Sequence, residues 1–119
     1  MTTITSSDAR PPAEATEQRL ARYRAHAEIC KVLIDPKRLM LIDGLRRGPR
    51  SVGQLAEEAG LSVANTSQHL AVLRHAGLVD TRRAGTSIHY RLSEPELVAA
   101  CDVIERIVER RLGSAPNEA

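Results

Sequence analysis

The sequence contains no phenylalanine and no tryptophan, and only two tyrosines. A core without large rings is built from Leu, Ile, Val and Ala, which suits packed helices better than an aromatic-rich sheet. Only two cysteines occur, Cys30 and Cys101, too few for a disulfide scaffold. No apolar run approaches the ~18 residues of a membrane span, and the N-terminus lacks a basic-then-apolar leader pattern. A cytoplasmic protein with no membrane partner is therefore expected. The chain also lacks a glycine-rich phosphate loop, a nucleophile paired with a base, and a carboxylate pair in a plausible cleft, so no enzymatic activity is expected.

What is present is 119 residues, enough for one domain, with a net charge of +2 that is unevenly spread. From Lys37 to Arg91 there are nine Lys/Arg against four Asp/Glu, while the two flanks together carry eight against eleven. A basic middle between acidic ends fits a polyanion-binding module with separate dimerisation helices. It equally fits a solvated surface in an arginine-rich chain.

Local signals divide the chain. Residues 1–12 are Thr/Ser-rich, end in Pro11-Pro12 and show no periodicity, and 113–119 are similar, so both read as disordered tails around a domain at 13–112. Ala13 to Ile34 reads as a helix with Leu20, Tyr23, Ala27, Cys30 and Ile34 in one stripe. Asp35-Pro36 ends it and caps a second helix whose inner side is Leu39, Leu41, Ile42 and Leu45. Ser51-Val52-Gly53-Gln54 is a capping box opening a third helix that stops at Gly60. Ser62 caps a fourth that runs to about Ala76 before Gly77. The period then changes to two. Val79–Arg83 and Ser87–Leu92 form a hairpin around Ala84-Gly85-Thr86, with Tyr90 expected in the core at its base. Glu94 to Leu112, opened by Pro95, is the last helix. The expected fold is mainly α with a small β-hairpin, ααααββα, a winged helix-turn-helix.

Function is carried by Gln54–Leu73. Gly60-Leu61 joins two short helices, Ala56 is small where they cross, and Leu55, Leu61, Leu70 and Leu73 hold them together. The second helix begins with small or hydrogen-bonding residues and no acid, and its free N–H groups and dipole suit phosphate. Asn and Gln can read adenine edges, and Ser and His can contact bases or phosphates. The hairpin that follows carries Arg82, Arg83 and Arg91, as a wing along the DNA backbone or minor groove would. Arg38 fits either a phosphate contact or a structural ion pair. A winged helix used only for protein–protein interaction is the competing reading.

The runs Asp35-Pro36-Lys37-Arg38-Leu39, Ser51–Ala56, Leu61-Ser62, Ser67–Arg74, Gly77-Leu78-Val79, Arg82-Arg83 and Tyr90-Arg91-Leu92 resemble the ArsR/SmtB family of bacterial repressors, from about Ala27 to Leu112. The resemblance implies a homodimer through the first and last helices, bound to an inverted-repeat operator in double-stranded DNA and released by an inducer. It implies DNA contacts by Ser62, Asn65, Ser67, Gln68 and His69, with Arg82, Arg83 and Thr86 in the wing; Thr66, in the same polar helix start, is expected among the contacts. Val63-Ala64 departs from the Gln-Pro frequent in the family, so base preference is open. The family's metal sites lack their ligands here: 50–54 holds no Cys or His, and the last helix pairs Glu94 and Glu96 with Ile107 and Arg110. No cofactor is expected. Cys30 and Cys101 remain as packing residues, as a thiol switch, or, with His26, as a soft-metal or metalloid site.

Overall fold

The computed structural model describes residues 13–113, so the two expected tails lie outside the described residues apart from Gly113. The chain divides between Lys31 and Val32 into two units.

The described residues of the first unit belong to α1 (Ala13–Val32), up to Lys31. The helix ends two residues earlier than the periodicity suggests, because the residue before Pro36 is driven to extended backbone: Asp35 has ψ 124°. No residue of α1 is buried. Leu20 and Tyr23, on the expected stripe, are 49% and 63% exposed.

The second unit holds α2 (Pro36–Gly44), β1 (Arg50–Ser51), α3 (Val52–Ala59), α4 (Val63–His75), β2 (Val79–Ala84), β3 (Ser87–Leu92) and α5 (Leu97–Leu112). Its core is aliphatic throughout: Leu41, Ile42, Leu45, Leu55, Leu70, Leu73, Leu78 and Val79, edged by the partly buried Tyr90 and Leu92. Leu39, expected inside, is 39% exposed. On a helix, residues three or four apart share a face, and Leu41, Ile42 and Leu45 take the inner one.

Each helix start is set locally. Asp35 Oδ1 accepts from Lys37 N–H at 2.7 Å, with Pro36 in the first turn, where its missing N–H costs nothing. Ser51 Oγ accepts from Gln54 N–H at 3.2 Å, and Gln54 Oε1 accepts from Ser51 N–H at 2.9 Å, the reciprocal box expected. Gly60 closes α3 at φ 70°, a conformation in which a Cβ meets the backbone.

The sheet has three antiparallel strands in the order β1-β3-β2. The hairpin reaches Ala84, which pairs with Ser87, so the loop is two residues long. Gly85 takes its first position at φ 66°, as two-residue hairpin loops that follow the strand twist favour. The strand β1 was not expected. Its two residues pair with Tyr90 and His89, too short a run to show a period of two.

The last helix begins at Leu97 rather than Glu94. Leu97 N–H and Val98 N–H reach back only three residues, to the Glu94 and Pro95 carbonyls, so 94–96 forms a tight turn, and Glu96 at the cap has no side-chain hydrogen bond. Arg46 joins α5 to the end of α2. Its guanidinium donates to both oxygens of Asp102 at 3.0 and 2.7 Å and also to Asp43. Arg46 holds the Asp102 carboxyl below its ordinary value, and the two acids push the guanidinium up. No buried residue belongs to α5. Leu97 and Val98 pack on the core, while Val103, Ile104 and Ile107 are exposed, Ile104 by 60%. No helix among the described residues is long and apolar enough to cross a membrane.

Candidate nucleic-acid interface

Ser62 Oγ accepts from Asn65 N–H at 3.0 Å and so fixes the first turn of α4. That turn contains no acidic residue, leaving the positive end of the helix dipole uncompensated. Thr66, Leu70 and Leu73 form the buried stripe. The opposite side presents Ala64, Ser67, Gln68 and Ala71 to solvent. Val63, which replaces a polar residue frequent in the resembled family, is also exposed.

Thr66 is a correction to the expected contact set. It is fully buried, and its hydroxyl donates to the Ser62 carbonyl at 2.8 Å. A side chain so placed supports the helix start and does not touch a duplex. Asn65 stands between the two roles: it is half-buried, and its Oδ1 is shielded from solvent with no hydrogen-bond partner among the described residues. Ser62, Ser67 and Gln68 are exposed and His69 is half-buried. His69 Nδ1 lies 3.3 Å from a guanidinium nitrogen of Arg38, whose Nε donates to the Val32 carbonyl at 2.7 Å. Arg38 therefore has a structural job, although its partners are a carbonyl and an imidazole, not the acid of an ion pair. His75 turns back on its own helix, with Nδ1 3.0 Å from the Ala71 carbonyl.

The hairpin begins directly after α4 and packs on it through β2. Arg82, Arg83 and Thr86 are all exposed. Arg82 pairs in register with His89 and Arg83 with Ile88, and since side chains alternate along a strand, the two arginines project from opposite faces of the ribbon. Arg91 is different. It donates to Asp80 at 2.8 Å, holds that carboxyl below its ordinary value, and is already neutralised. Arg50 is likewise paired with Glu58 at 2.6 Å. The unpaired cations of the wing are therefore Arg82 and Arg83, out toward its tip. Sequence reasoning could not separate these from Arg91, because pairing across the hairpin depends on register.

The thiols are both free, Cys30 exposed and Cys101 half-buried. Burial, followed by the nearby Asp102 charge, pushes the Cys101 thiol up, which disfavours the reactive thiolate. His26 is exposed on α1, one turn before Cys30. Among the described residues no three His, Cys, Asp or Glu side chains come together to hold a metal ion.

Comparison with known proteins agrees with this architecture. The sequence model described as "Bacterial regulatory protein, arsR family" matches residues 35–81. A biofilm growth-associated repressor of Agrobacterium fabrum is 38% identical over 96 residues, covering 81% of this chain and 80% of the relative. The crystal structure of the repressor BigR from Xylella fastidiosa superposes with a TM-score of 0.70 at 39% identity, over 79% of this chain and 96% of that one. A Mycobacterium bovis fragment, described as a homodimeric winged helix-turn-helix DNA-binding domain, gives a TM-score of 0.70 at 27% identity, over 80% and 88% of the two chains. The chain thus belongs to the arsR family of bacterial regulatory proteins, as a winged helix-turn-helix DNA-binding transcriptional regulator and not an enzyme.

Proposed function

We propose that the protein is a sequence-specific repressor that binds an inverted-repeat operator as a homodimer and leaves it when an inducer acts. The observation that carries this reading is the outer side of α4. It is a helix start with no acid in its first turn and with Ser62, Ser67 and Gln68 exposed, followed at once by a hairpin whose free cations are Arg82 and Arg83. An α-helix of this kind fits the major groove, where Gln pairs with adenine edges, and the wing arginines suit phosphate or a narrow minor groove. The exposed apolar side chains of α1 and, separately, those of α5 are open to a second subunit, as the family resemblance expects. Two subunits related by a two-fold axis read two half-sites in opposite directions.

Selection of bound sequences from a pool of random DNA duplexes tests this. The expected product is an inverted repeat whose binding weakens steeply with salt, since each phosphate contact releases counterions. Absence of any enriched sequence contradicts it and favours a protein–protein module.

For the inducer, the two free thiols are the chemical handle. A thiol oxidant or polysulfide acting at Cys30 and Cys101 fits their chemistry, with Cys101 the slower because burial raises its thiol. Cys30→Ser and Cys101→Ser each remove the response on this reading. Release by oxidant that is unchanged in both variants returns the cysteines to packing.

A further inference from the structure

We propose that Arg38 is a positioning residue for DNA recognition, holding His69 of α4 in the single tautomer whose proton sits on Nε2. This rests on the reading that α4 faces DNA.

A guanidinium has five N–H donors and no acceptor, and it stays protonated in proteins. An Arg38 nitrogen 3.3 Å from His69 Nδ1 therefore donates, and Nδ1 supplies the lone pair. A neutral imidazole carries one proton, so it resides on Nε2. The guanidinium is itself held, because Nε donates to the Val32 carbonyl at 2.7 Å, a carbonyl in the last turn of α1 with no following turn to accept from. Arg38 is half-buried, as is His69, so the contact is partly sheltered from competing water.

Two charged groups flank the ring. One is Arg38. The other is Asp35, near enough for any charge on the ring to act on its carboxylate, which accepts from Lys37 N–H.

The consequence is a restriction on what residue 69 can read. Nε2 is its only donor, and no group among the described residues accepts from it. Such a nitrogen suits an acceptor on DNA: purine N7, guanine O6 or a phosphate oxygen. It does not suit the amino groups of adenine or cytosine. Residues 38 and 69 are 31 apart, and the link arises because the start of α2 lies beside the middle of α4.

Imidazole nitrogen NMR on the free dimer at about pH 8, where an ordinary histidine is neutral, reads the tautomer directly. Wild-type His69 is expected with the proton wholly on Nε2, and Arg38→Met is expected to admit a measurable fraction with the proton on Nδ1. A proton on Nδ1 in the wild type, or unchanged tautomer populations in Arg38→Met, overturns the proposal without touching the DNA-binding reading. On a selected duplex, Arg38→Met is expected to weaken binding about 3- to 10-fold, the loss of one hydrogen bond. In a His69→Ala background it is expected to change nothing further. Equal losses in both backgrounds make Arg38 a direct phosphate contact or a fold element, and overturn the positioning role. His69→Ala binding like the wild type overturns the recognition role of the ring while leaving Gln68 and the wing to carry the reading of α4.

Discussion

Two regions of this chain treat their apolar residues in opposite ways. Between α2 and β3, Leu and Val side chains vanish from solvent, and Leu70 and Leu73 are wholly buried. The flanking helices α1 and α5 are the longest among the described residues, at 20 and 16 residues, yet neither has one buried residue. Helices in proteins draw most of their stability from packing of an apolar face, yet side chains such as Tyr23, Ile104 and Leu112 lie open. The middle satisfies itself within one chain. The flanks are built to be satisfied by something else, which on our reading is a second copy.

The comparison can be broken from either side. The largest effect is expected in the core: Leu73→Ala leaves a cavity at the junction of α4 and the sheet and should lower unfolding free energy by about 2–5 kcal/mol, measured by urea denaturation. A loss below 1 kcal/mol would mean that the middle is less self-sufficient than its burial indicates. On the flank, Ile104→Glu places a charge on the exposed apolar face of α5. Sedimentation should show a monomer, and DNA affinity should fall about 100-fold or more once the two half-sites are no longer bound by one linked body. An intact dimer would assign that face to another role.

A smaller effect is expected from Ser51→Ala, which removes the reciprocal cap of α3 and should cost about 1 kcal/mol, again by denaturation. Smallest is the pH dependence of the α2–α5 clamp. Asp102 is held below its ordinary value by Arg46, so its contribution is present above the unfolded carboxyl pKa and is lost as pH falls through the lower folded one. Asp102→Asn should flatten that acid limb of the stability curve while leaving stability near neutral pH only slightly changed, because the pair is exposed.

What the sequence made legible was whatever is settled within a few residues. The capping box at Ser51 and Gln54, the turn at Gly60 and the hairpin around Gly85 all depend on neighbours, and all form as expected. Thr66 was misread because a hydroxyl near a helix start looks like a surface group, although its spacing of four and seven from Leu70 and Leu73 already puts it on their stripe. The missing strand at Arg50-Ser51 exists only through its partner β3. The contacts of Arg38 with His69 and of Arg46 with Asp102 join residues 31 and 56 apart, and nothing local announces either one. Arg91 and Arg82 looked alike until the register placed Asp80 opposite Arg91.

The central claim is that the outer side of α4 reads DNA while its inner side only packs. Gln68 tests it most directly, because it is exposed and lies two residues from the buried Thr66. Binding of Gln68→Ala to a duplex selected by the wild type, at fixed salt, should be weaker by about 1–3 kcal/mol, or roughly 5- to 150-fold, with the same oligomeric state and the same denaturation midpoint. Wild-type affinity in that variant would contradict the claim.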